Sequence, residues 1–271
     1  MQIEDRVAVV TGGASGIGRA VSLELARRGI SKIALIDQSE QTDIAVDQIN
    51  NEITRDVAIA YRGDVTDDGF RTHVFDEVCA RYGIPNICIP AAGITLDALA
   101  VKVNRETGKA AMYSRENFER VVNINLIAPI YWAMEMISRI AEDRALRGLK
   151  RWHPDEHVQG TVIFIGSVSS QGVKGQISYA TTKAGLGGAA ATLMKEAIFY
   201  GVRCGVIHPG YTDTPMVRAL GDEYIENNVL PDTQINRLIR PDEIADAICF
   251  MISNSIVSGQ LWADAGWHPS A

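Results

Sequence analysis

Short apolar runs rich in β-branched residues alternate along the chain with longer stretches whose apolar positions recur every three or four residues. The short runs, at 6–10, 32–36, 57–61, 86–89, 161–165, 202–207 and 259–263, predict strands. They are apolar throughout rather than alternating, which predicts a parallel sheet covered on both faces. The longer stretches, at 16–29, 41–53, 67–82, 115–144, 177–200 and 241–253, predict helices. In the first, Ile17, Val21, Leu25 and Ala26 share a face and Gly29 is a stop signal; the last has a proline near its first turn. Strand–helix units repeated in this way predict a doubly wound α/β fold with about seven parallel strands, one domain over 1–271. No Pro/Gly/Ser-rich linker and no internal repeat interrupts it. Two charged segments without period, 97–114 and 144–160, read as surface loops inserted between elements.

Composition narrows the class. With 271 residues, 46% hydrophobic and 22% charged, the chain reads as an ordinary soluble protein. It is long enough to bury roughly three quarters of its unfolded surface without disulfide or metal. A formal charge of -7 argues against nucleic acid as a partner. Cys79, Cys88, Cys204 and Cys249 are scattered, as expected of reduced, mostly buried thiols in a reducing compartment. The N-terminus lacks a basic-then-apolar signal, and no apolar run approaches the ~18 residues of a membrane span. A cytoplasmic protein without membrane association is expected. His153 and His157 could share a metal only on a helix; Pro154 argues against one, so a solvated loop and no metal are expected. Met134 and Met136 read as packing residues.

Candidate chemistry begins at residues 11–18, Thr-Gly-Gly-Ala-Ser-Gly-Ile-Gly, between the first strand and the first helix. Glycines at Gly12, Gly16 and Gly18 let the backbone turn tightly and approach a pyrophosphate, which the helix N-terminus favours. Packing alone would also explain a glycine there, but the order strand, turn, helix favours phosphate binding. Asp37 ends the second strand, where an acid bonds ribose hydroxyls and repels a 2′-phosphate. Gln38, Ser39 and Glu40 follow it and Ser15 is uncharged, so the pattern predicts NAD rather than NADP. A helix cap is the other use for Asp37.

Taken with Gly63-Asp64-Val65, Ala91-Ala92-Gly93, Asn125, Ser167, residues 179–183 (Tyr-Ala-Thr-Thr-Lys) and residues 209–214 (Pro-Gly-Tyr-Thr-Asp-Thr), the chain resembles the short-chain dehydrogenase/reductase (SDR) family over essentially its whole length. The resemblance implies a Rossmann fold and a catalytic set of Asn125, Ser167, Tyr179 and Lys183. Tyr179 and Lys183 are four apart, so they share a helix face, and a cation beside a tyrosine lowers its pKa from ~10. Tyr179 would exchange the proton, Ser167 would bond the substrate oxygen, Lys183 would also hold the nicotinamide ribose, and Asn125 would anchor a relay water. Gly12, Ser15, Gly16, Ile17, Gly18, Asp37, Asp64, Val65, Ala91, Ala92 and Gly93 would hold the dinucleotide. Pro209, Gly210, Thr212 and Thr214 would fix the carboxamide. Residues 211–238 correspond to a substrate-covering region. Ile94, Ser169, Gln171, Gln176, Tyr211 and Met216 are candidate substrate residues, suggesting an uncharged or weakly polar substrate. Dimers or tetramers built on the two long helices are implied, with Trp267 and His268 as candidate subunit contacts.

The chain departs from the family at Pro90 and Ala91, where an asparagine usually ties neighbouring strands, and in a Ser167-to-Tyr179 interval one residue short. The leading expectation is an NAD-dependent enzyme interconverting a secondary alcohol and a ketone. One alternative is a dinucleotide sensor without catalysis, against which Tyr179 and Lys183 count. Another is a 3-ketoacyl-thioester reductase; these generally use NADPH, so Asp37 counts against it, as does an acidic chain facing an acidic carrier protein.

Overall fold

A computed structural model describes residues 1–267. Seven strands form one parallel sheet: β1 (Val7–Thr11), β2 (Lys32–Asp37), β3 (Ala58–Arg62), β4 (Ile87–Pro90), then β7 (Gly160–Ile165), β8 (Val202–Pro209) and β9 (Gly259–Ala263). Their spatial order is β3-β2-β1-β4-β7-β8-β9. The order reverses at β1, where β2 and β4 flank it, and that places a crevice beyond the carboxyl ends of the central strands.

Apolar runs without alternation have their explanation in the two faces. Ala8, Val10, Ile33, Leu35, Ile87 and Ile89 pack with Val21 and Leu25 of α1 (Gly16–Arg27), Ile49 of α2 (Gln41–Ile53) and Ile248 of α9 (Pro241–Ser253). Their neighbours Val7, Val9, Ala34, Ile36 and Cys88 pack on the other face. There they meet Phe75 of α3 (Asp68–Tyr82), Trp132 and Met136 of α5 (Ala128–Leu146) and Leu186 of α6 (Ile177–Glu196). Each fully buried Val, Leu, Ile, Phe or Met side chain among them contributes roughly 1.5–3 kcal/mol.

Some expectations change. The segment 97–114 is not a loop: β5 (Val101–Val103) pairs antiparallel with β6 (Ala110–Met112). Every residue of both strands is exposed, so no burial pattern marked them. The turn is set by Asn104, whose side chain accepts the N–H groups of Glu106 and Thr107, and by Gly108 at φ 67. Between α5 and β7 the segment 144–160 is a loop, as expected, and it is tethered: Arg144, 1% exposed, donates to both oxygens of Glu156 at 2.6 and 3.2 Å and to the Lys150 carbonyl. His153 and His157 remain exposed, and among the described residues no cluster of three or more His, Cys, Asp or Glu groups is placed to hold a metal.

The single helix expected over 115–144 is interrupted. α4 (Arg115–Val122) passes into a π turn at Asn123–Ile127 before α5 begins. Pro129 has no N–H to give the Asn125 carbonyl four residues earlier, so a regular turn cannot form there. The α4–α5 run includes a stretch long and apolar enough to cross a membrane, contrary to the expectation of no such run, yet Trp132, Ala133 and Met136 on it are wholly buried in the sheet packing. Met134 is 44% exposed and is not a packing residue.

Smaller differences lie at element ends. The helix expected to reach 200 finishes at Glu196 and continues as a 3₁₀ turn, and β8 extends to Pro209. The cysteines are free, three buried and Cys79 partly so. Trp267 stands edge-on to Tyr211 of its own chain, ring centres 5.3 Å apart; His268 lies outside the described residues.

Candidate active site

The glycine turn is dictated by crowding. A Cβ on Gly12 would lie 2.7 Å from the backbone of Ala92, and one on Gly18 would lie 2.2 Å from the Gly12 carbonyl. Gly12 and Gly16 also adopt φ of 66° and 54°, conformations that side chains disfavour. Ser15 caps α1 in extended conformation without a side-chain bond, and the first turn of α1 holds no acidic residue. The helix N–H groups and dipole thus remain available to an anion.

Asp37 belongs to the same unit. Its carboxylate accepts the Ala14 N–H at 3.2 Å and the Ser39 N–H at 3.1 Å, so the acid ending β2 is held against the turn after β1. On the opposite side Thr11 takes over the tie expected of an asparagine: its carbonyl accepts the Ala91 N–H and its hydroxyl the Ala92 N–H, both at 3.2 Å. Farther along, Asp64 accepts both the N–H and the hydroxyl of Thr66 at 2.8 Å, and Val65 accepts the Trp132 indole N–H at 2.9 Å.

A cleft of about 740 Å³ runs along these segments. Of the residues named from sequence, Gly12, Ser15, Gly16, Ile17, Gly18, Asp37, Asp64, Val65, Ala91, Ala92, Gly93, Ile94, Tyr179, Lys183, Thr214 and Met216 line it. A cradle that excludes a Cβ, leading onto an uncapped helix N-terminus, fits a dinucleotide pyrophosphate, and the lining extends from it both to Asp37 and to Tyr179 and Lys183. Gln38, Glu116, Glu119, Arg120, Asn123, Ile124 and Pro215 also line it and were not foreseen. Glu116, Glu119, Arg120, Asn123 and Ile124 lie on α4 and its π turn and look like ordinary helix surface in sequence; only the packing of that segment beside the cleft brings them in.

At the far end of the cleft three groups converge. A Cβ on Gly93 would be 3.4 Å from Asn125 Oδ1 and 3.8 Å from Lys183 Nζ. Asn125, fully buried, donates to the Ile94 carbonyl at 2.8 Å and accepts the Ile94 N–H at 2.9 Å, fixing the chain that leaves β4. Lys183 donates to the Ile165 carbonyl at 2.8 Å and stands 5.5 Å from the centre of the Tyr179 ring. Burial lowers Lys183 to about 8. Burial raises Tyr179 to about 12, a hydrogen bond with Ser167 acts in the opposite direction, and the Asp97 carboxylate adds to the rise. Ser167 Oγ accepts the Ser169 N–H at 3.1 Å, which leaves its own proton to donate.

The remaining named residues lie around this end, off the cleft lining. Ser167 caps a 3₁₀ turn at Val168–Gln171, in which Ser169 is buried and Gln171 is exposed at the end. Gln176 donates to Asp97 at 2.7 Å and joins the base of the β5–β6 hairpin to α6. Pro209 ends β8; a Cβ on Gly210 would meet Asp264 at 2.7 Å, and Thr212 bonds the Gly210 carbonyl at 3.1 Å. Tyr211 packs with Ile225, Val229 and Leu238 in a small separate cluster. Within 211–238 the chain forms two short helices, α7 (Pro215–Arg218) and α8 (Asp222–Asn228).

Comparison with known proteins agrees with this geometry. Residues 6–225 match the family model described as short chain dehydrogenase. The chain is 30% identical over 270 residues to an acetoacetyl-CoA reductase of Synechocystis sp., covering 98% of this chain and 97% of that one. It is 32% identical to a 3-oxoacyl-[acyl-carrier-protein] reductase of Mycobacterium tuberculosis, covering 94% and 90%. A solved short-chain type dehydrogenase/reductase from Mycobacterium marinum superimposes with a TM-score of 0.83 at 21% identity, over 99% of this chain and 98% of that one, and so shares the fold.

Proposed function

Because the chain belongs to the short-chain dehydrogenase family, we propose that it is an oxidoreductase interconverting the 3-oxo and 3-hydroxy groups of an acyl thioester, with NAD(H) as cofactor. The observation that carries the reaction type is the meeting of Tyr179, Lys183 and Ser167 at one end of a dinucleotide-shaped cleft. A sensor without catalysis has no use for that trio. The thioester is favoured by the names of the acetoacetyl-CoA and 3-oxoacyl relatives. Among secondary alcohols, the class expected from sequence, it is the member the relatives point to.

A bound nicotinamide dinucleotide supplies or removes the hydride. Ser167 and Tyr179 both donate to the ketone oxygen, and Tyr179 gives up its proton as that oxygen gains charge. A phenol raised to about 12 is protonated at neutral pH, which suits the reducing direction. The Lys183 ammonium then stabilises the phenolate left behind. Asn125 holds Ile94, which lines the cleft, in place, and its carbonyl, to which Pro129 has no N–H to give, would hold a relay water.

Asp37 carries the choice of NAD(H). Its carboxylate, fixed beside the turn, would bond ribose hydroxyls and repel a 2′-phosphate. Arg62, at the end of β3, faces Glu40 and Asp43 at 3.5 and 3.7 Å, which offsets its charge toward a phosphate. Asp37 speaks to the cofactor and not to the acyl group, so it no longer weighs against a thioester. An assembly of two or four copies through the α4–α5 and α6 faces is part of this reading, with Ile127, Tyr131 and Met134 exposed on that surface. The test is to follow nicotinamide absorbance with acetoacetyl-CoA and either NADH or NADPH. Oxidation of NADH in preference supports the proposal; a preference for NADPH, or no turnover, contradicts it.

A further inference from the structure

His208 is 1% exposed, in the last turn-ward part of β8, and no step of the reaction requires it. Its ring nevertheless lies against the main chain of Ser167. Nδ1 accepts the Ser167 N–H at 3.3 Å, lies 3.0 Å from the Ser167 carbonyl oxygen and 3.4 Å from the Ser170 hydroxyl. Nε2 faces Gln260 Oε1 at 2.9 Å, and the ring stacks on Trp262 with centres 4.2 Å apart and planes within 15°. Gly166 makes room for it, since a Cβ there would stand 2.5 Å from Nδ1.

We propose that His208 is a positioning residue that sets the main chain of Ser167, and through it the direction of the Ser167 hydroxyl toward the substrate oxygen. This inference rests on the role given above to Ser167. With Nε2–H donated to Gln260, the Nδ1 lone pair takes the Ser167 N–H. In the other tautomer Nδ1–H is donated to the Ser167 carbonyl. In the first tautomer one nitrogen is fixed to Gln260 of β9 and the other to Ser167; in the second, the Gln260 amide turns its NH₂ toward Nε2 to keep the tie to β9. The orientation of Ser167 Oγ then follows from two constraints: its backbone, held by His208, and the Ser169 N–H that it accepts. A misplacement of the order of 1 Å at such a group costs up to about a hundredfold in rate. His208 lines no part of the cleft, although the chain runs on from it to Pro209, so its loss should fall on kcat rather than on binding.

The experiment compares His208→Phe, which keeps the stacked ring but removes both nitrogens, with His208→Asn, which returns a polar atom near the Nδ1 position. Expected for His208→Phe is a fall in kcat of about ten- to a hundredfold, with KM and NADH affinity unchanged. His208→Asn should recover most of the loss. Wild-type kcat in His208→Phe, or a loss that Asn fails to recover and that NADH affinity shares, overturns the proposal. Should His208→Phe not fold, Gln260→Met reads the same link, because it frees the Nε2 side. Lowered kcat with intact NADH binding supports the proposal and unchanged kcat refutes it. Ser167→Ala is run alongside. If Ser167→Ala keeps full activity, the reading of Ser167 itself fails; if it is inactive while His208→Phe is not, only the present inference fails.

Discussion

The Lys183 ammonium lies 5.5 Å from the centre of the Tyr179 ring while its proton is given to the Ile165 carbonyl. That placement gives Lys183 a role separable from its bond to the sheet. In the oxidising direction of the proposed reaction Tyr179 would act as a phenolate, which the ammonium favours. Lys183→Met removes the charge, so the phenolate forms only at higher pH. The acid limb of the pH profile for 3-hydroxyacyl oxidation should move upward, and the rate at neutral pH should fall about 10²- to 10⁴-fold. Steady-state kinetics across pH checks both.

Asp97 acts on the same tyrosine from the other side. It lies outside the cleft lining, receives the Gln176 side chain at 2.7 Å and a hydrogen bond from Thr95, and raises the pKa of both Tyr179 and Tyr211. Asp97→Asn keeps an acceptor for Gln176 and removes the charge. The Tyr179 phenol should then ionise more easily, moving the acid limb of the oxidation profile to lower pH, opposite to Lys183→Met. A pH profile that stays put would show that this carboxylate does not act on Tyr179.

Cofactor choice is predicted to reside in the charge of Asp37. Asp37→Asn retains an oxygen for one of the Ala14 and Ser39 N–H groups, which the carboxylate accepts on separate oxygens, and no longer repels a phosphate. The preference for NADH over NADPH should shrink by about tenfold, equivalent to ~1.4 kcal/mol. Dissociation constants from nicotinamide fluorescence measure it.

The Arg144–Glu156 pair predicts a stability change with a defined pH window. Hydrogen bonding by Arg144, helped by the His153 N–H, lowers Glu156 from 4.5 to about 2. A depressed carboxyl adds stability that is complete above its unfolded pKa and lost as pH falls through the folded one. Glu156→Gln should therefore melt at lower temperature than the parent at pH 7. The difference should narrow between pH 4.5 and about 2 and vanish below. Thermal scans at several pH values test this.

Much of the fold was legible because its strands are buried on both faces: Val7 to Val10 have no polar position to spare. The elements that escaped lack such a signal. The β5–β6 hairpin is exposed at every strand residue, and Asn123–Ile127 reads as helix although Pro129 denies it a regular bond. Arg144 and Glu156, twelve residues apart, pair through a turn that no local period encodes. In the site, Gly12, Asp37, Tyr179 and Lys183 could be named in advance because backbone crowding, charge and helical spacing constrain each. Arg120 and Glu116 could not, since their place beside the cleft depends on how α4 packs. His208 gave no sign in sequence either; its meaning comes from the register that sets it opposite Trp262.

In the proposed reaction Tyr179 carries the proton of a dinucleotide-dependent ketone reduction. Tyr179→Phe keeps the ring beside Lys183 and removes only the hydroxyl. Turnover of acetoacetyl-CoA with NADH, followed by nicotinamide absorbance, should be lost in this variant while NADH still binds as in the parent. Turnover retained in Tyr179→Phe would contradict the account.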